Sequence, residues 1–144
     1  MADSAEGVFF LTGKDFHNAG AASSSLKGIL EKMGIPPDII RRASIAAFEA
    51  EMNLIIYAVA GMMRYNITQD MITIVLEDMG PGIKDIALAM TEGYSTAPDY
   101  IREMGFGSGM GLPNIKKNAD RLNLKSVAGE GTTLEFVIFV TKPD

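Results

Sequence analysis

No cysteine occurs in the 144 residues, so disulfides and thiolate metal sites are excluded, while the redox compartment stays undetermined. Histidine is nearly absent too: His17 is the single one, and it reads as an ordinary residue near a helix start. Positive charge is scarce. Thirteen Lys and Arg stand against eighteen Asp and Glu, and a net charge of −5 argues against a general nucleic-acid binder. An anionic small ligand would therefore have to be held by local donors rather than by a favourable overall field. Uninterrupted apolar runs are also missing. The most apolar long stretch, residues 43–63, is broken by Glu49, Glu51 and Asn53, which argues against a membrane span. Residues 1–7 are small and acidic, unlike a secretory leader, and a cytoplasmic location is expected.

What is present suffices for one domain over residues 1–144, with 47% hydrophobic residues to fill its core. Residues 8–11 read as a short strand rich in β-formers. Asp15 is placed to cap a helix running to about Met33, weakened by Gly20 and Gly28 and stopped at Gly34. Pro36-Pro37-Asp38 opens the clearest helix, with apolar residues at helical spacing to about Ala60. Residues 62–68 and 71–77 form a predicted hairpin around Thr68-Gln69-Asp70. A glycine-rich stretch follows to Met110, carrying one short helical pattern at 83–91, and a connection of that length is often a functional lid. Residues 112–122 read as helix, and 124–128 and 132–140 as strands joined by Gly129-Glu130-Gly131. The class is α+β: a two-layer α/β sandwich with a mixed, mostly antiparallel sheet and helices on one face.

Four stretches can carry chemistry. Glu49 and Asn53 lie four residues apart, hence on one face of the predicted helix among Ala, Phe, Ile and Met neighbours. A carboxylate and an amide there need partners, and a Mg²⁺ ion that takes oxygen ligands and keeps several waters is one such partner. Glu51 points elsewhere on the helix and reads as surface. Next, Asp78 ends a strand and is followed by Gly80, Gly82 and Ile83. Its carboxylate accepts without donating, which suits an exocyclic amine such as adenine N6, while the glycines let a purine approach the backbone. Third, Gly105-Phe106-Gly107-Ser108-Gly109-Met110-Gly111-Leu112 exposes successive backbone N–H groups before a helix, a cradle for phosphate oxygens. No Gly-Lys-Ser/Thr follows, so this is not a P-loop. Last, Thr132 after Gly131 stands where its hydroxyl can support the adenine pocket. Taken singly, each stretch also fits a solvated helix edge, a plain turn, a flexible connector or an ordinary strand threonine.

In their order and spacing these motifs resemble the histidine-kinase-like ATPase superfamily with its Bergerat nucleotide fold. Its pattern is Glu-x-x-x-Asn on a helix, then Asp-x-Gly-x-Gly, a glycine lid, and Gly-Thr on a late strand. Glu49 and Asn53 match the first, Asp78, Gly80 and Gly82 the second, Gly105, Gly107, Gly109 and Gly111 the third, and Gly131 and Thr132 the last. The motif-bearing part spans residues 36–140. Within the superfamily the chain is most similar to small bacterial anti-sigma-factor serine kinases and switch-protein kinases. The carriers of that likeness are Ile83 after Gly82, Ala89-Met90 and Gly93-Tyr94-Ser95-Thr96, and Gly111-Leu112-Pro113.

The resemblance implies an ATP-binding regulatory protein that phosphorylates a seryl or threonyl hydroxyl of a small, anti-anti-sigma-like partner with Mg-ATP. A sigma factor or other regulator is a further implied partner. Nucleic acid and membrane are not expected, and a homodimer is left open. The resemblance further implies Glu49 as the base, Asn53 as the Mg²⁺ ligand, Asp78 as the adenine contact and residues 107–112 as the phosphate cover. Two positions depart from the pattern: Ile56 stands where many relatives carry a basic residue, and Phe106 where some carry an arginine. Phosphate charge then falls to Mg²⁺ and backbone amides, with Arg102, Lys116 and Lys117 as lesser candidates. The alternative is a non-catalytic module that sequesters or activates a partner when ATP orders the lid. A sensor-kinase fragment is disfavoured because no dimerising helical hairpin frames His17.

Overall fold

The computed structural model of the protein describes residues 3–80, 82, 90–91 and 111–141. Its strands are β1 (Ser4–Thr12), β2 (Ala60–Thr68), β3 (Met71–Met79), β4 (Arg121–Val127) and β5 (Gly131–Phe139). Its helices are α1 (Ala21–Lys32), α2 (Pro37–Tyr57) and α3 (Gly111–Asn118), with a short 3₁₀ turn at Phe16–Asn18. The sheet runs β1-β2-β3-β5-β4, and its four pairings among the described residues are all antiparallel; the expected α+β class holds, with the sheet expected as mixed and mostly antiparallel. The expected helix at 83–91 lies almost wholly outside the described residues.

Alternation along the strands decides which face is covered. Met63 and Ile67 of β2, Ile72, Ile74 and Leu76 of β3, and Leu134, Phe136 and Ile138 of β5 all point to one buried face. Their neighbours point to the other, which stays open; Phe10 there is 77% exposed. At the β1 edge, Gly7 lies opposite Tyr65. The Tyr65 ring covers that glycine, and a methyl there would collide with it. The same ring packs on Phe9 with centroids 5.3 Å apart.

Central to the helical layer is α2. Its Ala43, Ala46, Ala47 and Ala50 are buried, and such small side chains let α1, α3 and the sheet approach the helix closely. Leu26 and Leu30 of α1 and Ile115 of α3 complete the core without exposure.

The strands expected at 8–11 and 124–128 run Ser4–Thr12 and Arg121–Val127, and three helix boundaries differ from the sequence reading, each through a tertiary contact. Residues 13–15 do not begin a helix. The Gly13 and Lys14 amides instead bond the Val59 and Ile55 carbonyls at 2.8 and 2.7 Å, and the Lys14 ammonium reaches the Ile56 carbonyl. The last carbonyls of α2 lack intrahelical partners, so a cation and free amides are favoured there. Asp15 makes no cap bond to that turn. Helix α1 starts only at Ala21, after Gly20 at φ +92°, and α2 stops at Tyr57 instead of about Ala60. Similarly, α3 ends at Asn118 instead of continuing to residue 122. Arg42 donates to the Asn118 carbonyl and to Asp120, both at 3.0 Å, and Asp120 accepts the Phe139 amide at 2.7 Å, so the chain turns into β4.

Candidate functional site

Glu49 and Asn53 occupy consecutive turns of one face of α2, both half-buried. The Asn114 amide of α3 donates to Glu49 Oε1 at 3.4 Å, and a methyl at Gly111 would lie 3.4 Å from Oε2. The structure therefore brings Glu49 against the first turn of the helix that follows the glycine loop. Leu112, one position on, is buried. Among the described residues the Asn53 amide makes no hydrogen bond, so its oxygen is available to a ligand.

Asp78 sits near the end of β3, and its Oδ1 accepts the Thr132 backbone N–H at 3.1 Å. Burial pushes its carboxyl above the usual aspartate range, and the Thr132 amide partly offsets this. Gly131 fits only as glycine: its φ is +144°, and a Cβ would strike the Asp78 carbonyl oxygen. Thr132 thus meets Asp78 through its amide, while its hydroxyl lies 2.9 Å from Ser126 Oγ.

The turn after Asp78 is packed as closely. A Cβ at Gly80 would lie 3.0 Å from Ala58 Cα, and one at Gly82, which has φ +75°, would lie 2.5 Å from the Val127 oxygen. Gly61 was not singled out in the sequence, yet a Cβ there would lie 2.6 Å from Leu54 Cδ1 and 3.1 Å from Asp78 Cα. Leu54 adjoins Asn53, so this close approach links the α2 face to the Asp78 end of β3. Ile83, Gly105, Phe106, Gly107, Ser108, Gly109, Met110 and Arg102 lie outside the described residues.

Glu51 is the main correction. It was read as surface, but it is 1% exposed and lies against the start of α1. Its carboxylate accepts the Gly20, Ala22 and Ser23 amides at 3.0, 3.3 and 3.0 Å and the Ser23 hydroxyl at 2.8 Å. It supplies from another helix the cap that α1 lacks in its own sequence. A two-residue offset rotates Glu51 roughly 200° from Glu49, so the two carboxylates serve opposite sides of α2. On the Glu51 side a groove of about 440 Å³, lined by β1, α1, Glu51 and Ile55, contains none of the motif residues.

Among the described residues no cluster of three or more His, Cys, Asp or Glu could hold a metal ion. Any cation at Asn53 would therefore take most of its ligands from elsewhere. No described helix is long and apolar enough to cross a membrane.

Comparison with known proteins places the chain in a family. Residues 14–138 match the family model of the histidine kinase-like ATPase domain. The chain is 32% identical over 121 residues to the serine/threonine-protein kinase RsbT of Bacillus subtilis, covering 81% of this chain and 85% of that protein. It is 29% identical over 138 residues to an anti-sigma F factor of Clostridium beijerinckii, covering 92% of each. A shorter match, 40% over 63 residues, links it to the anti-sigma F factor of Clostridium novyi, covering 44% of this chain and 41% of that protein.

Proposed function

The chain belongs to the histidine kinase-like ATPase domain family, and on that premise we propose that it is a protein serine/threonine kinase using Mg-ATP. Its substrate is a hydroxyl on a small regulatory partner of the anti-anti-sigma kind, and a sigma factor or other regulator is a second partner. The observation that carries the reading is the placement of a half-buried carboxylate, Glu49, beside the first turn after the glycine loop. Glu49 shares its helix face with an uncommitted amide, Asn53.

Asp78 holds the nucleotide by its base: with Oδ1 taken by Thr132, its other oxygen accepts from adenine N6. Gly80 and Gly82 let the turn after Asp78 close against Ala58 and Val127, which sets the backbone beside the Asp78 carboxylate. Asn53 suits Mg²⁺, which binds through one or two protein oxygens together with substrate phosphates and water. Bound there, the ion would neutralise charge on the β- and γ-phosphates. The amides of residues 107–112 are assigned to the phosphate oxygens.

In the transfer step the partner's hydroxyl oxygen forms a bond to the γ-phosphorus. The bond from that phosphorus to the bridging oxygen breaks, ADP leaves, and the hydroxyl proton passes to Glu49. Such reactions depend on positioning and charge stabilisation more than on covalent chemistry, so this short residue set is adequate. In Glu49→Gln, ATP affinity is expected to persist while transfer falls by roughly 10²- to 10⁴-fold, the usual range for losing a general base. Phosphoprotein formed at near wild-type rate by that variant would refute the base assignment. ATP-dependent partner binding with no phosphoprotein from the wild type would favour a non-catalytic sequestering module.

A further inference from the structure

Asn114 has no part in holding the proposed nucleotide, yet its side chain hydrogen-bonds Glu49. Its Nδ2 donates to Oε1 at 3.4 Å, while Gly111, which has no side chain of its own, faces Oε2. The direction of this contact is fixed by packing. Leu112 and Ile115 bury the opposite side of α3, so the helix cannot rotate without withdrawing two aliphatic side chains from the core. Asn118 Nδ2 donates to the Asn114 carbonyl at 2.8 Å, and Arg42 of α2 holds the Asn118 carbonyl at 3.0 Å. Helices α2 and α3 are thus joined twice, at Arg42 and, two turns along α2, at Glu49.

We infer that Asn114 is a positioning residue for phosphoryl transfer: it holds Glu49 Oε1 so that Oε2, on the Gly111 side, faces the incoming hydroxyl. The inference rests on the kinase reading of Glu49. A glutamate has three side-chain torsions, and fixing one oxygen restricts where the other can point. A neutral amide is suited to the task because its N–H only donates here and does not take up the proton that Glu49 accepts. The residue acts through Glu49 and touches no reacting atom.

The test uses the full chain with its protein substrate and saturating Mg-ATP. Asn114→Ala is expected to lower single-turnover transfer about tenfold, since small misplacements of a reacting group are that costly. Asn114→Asp, which sets a second carboxylate against Glu49, is expected to lower it further. For Asn114→Ala, ATP affinity and melting temperature should stay at wild-type values, whereas a merely structural role would lower them together. In a Glu49→Gln background Asn114→Ala should change transfer no further. The carboxyl ¹³C resonance of Glu49, assigned by its loss in Glu49→Gln, should shift in Asn114→Ala without any substrate present. A stationary resonance, or transfer unchanged or reduced only in proportion to ATP affinity, overturns the inference. A resonance that shifts in Asn114→Ala, together with a wild type that transfers no phosphate, sinks the kinase reading instead.

Discussion

Replacing Asp78 by asparagine tests the nucleotide pocket at one atom. Oδ1 is committed to the Thr132 amide at 3.1 Å, so only the second oxygen is available to a base. In Asp78→Asn the amide oxygen must remain on the Thr132 side, since turning it away would leave that part-buried N–H facing an NH₂. The NH₂ then faces the adenine amine, donor against donor. A hydrogen bond to a charged acceptor contributes roughly 1.5–3 kcal/mol, and an unpaired donor adds a similar desolvation cost. Together these give an expected loss of about 3–6 kcal/mol in ATP binding, roughly 150-fold in affinity or more. Inosine triphosphate carries a carbonyl at the same ring position, so it should bind the variant at least as well as ATP does, reversing the wild-type preference. Calorimetric titration with both nucleotides, with melting temperature as the folding control, reads this directly. The variant should fold at least as stably, because burial disfavours the ionised carboxylate. ATP affinity within about threefold of wild type, well under the 1.4 kcal/mol of a tenfold change, would refute the assignment.

Acidification should act on the same group. The raised carboxyl of Asp78 takes up its proton above the usual aspartate range. ATP affinity should therefore fall as pH drops through that raised value, a dependence that Asp78→Asn lacks. The unliganded protein gains stability from this group over the same interval, since protonation relieves the burial of charge and the unfolded chain protonates only at lower pH. The difference between wild type and Asp78→Asn in urea titrations isolates that gain, and parallel curves would contradict it. Glu51→Ala strands three amides at the start of α1, while the Ser23 hydroxyl keeps the Gly20 carbonyl at 3.2 Å. A loss of about 3 kcal/mol or more is expected, about 10 °C in melting temperature for a chain of this size; an unchanged melting temperature would contradict it. Gly131→Ala places a methyl on the Asp78 carbonyl at φ +144°. It should destabilise the fold by about 1–3 kcal/mol through backbone strain and weaken ATP binding with it. Wild-type denaturation and affinity would rule out the close approach.

Hydrophobic periodicity and motif order were enough for the family, the α+β class and most element positions. The alternating runs of β2, β3 and β5 and the alanine-rich seam of α2 fix which faces are buried from local pattern alone. The spacing of Glu49 and Asn53 is an equally local signal, whereas Asp78 and Gly131-Thr132, whose contact spans 54 residues, are legible only through the order of the motifs. Glu51 was misread because its partners lie 28 to 31 residues away, at the start of a different helix. Nothing within α2 marks that carboxylate as different from a surface one. Asn114 and Gly61 were passed over for the same reason: an amide's acceptor and a glycine's lack of room are properties of what packs opposite.

The sequence alone determined which segments are helix or strand and which residue types could meet a nucleotide, since those depend on neighbours along the chain. Only the tertiary structure decided that Glu51 caps α1 while Glu49 faces α3, and that Asp78 has one oxygen committed and one available. Helices crossing at α2 and strands meeting at β3 and β5 set those contacts, and their distances in space are not encoded in spacing along the chain.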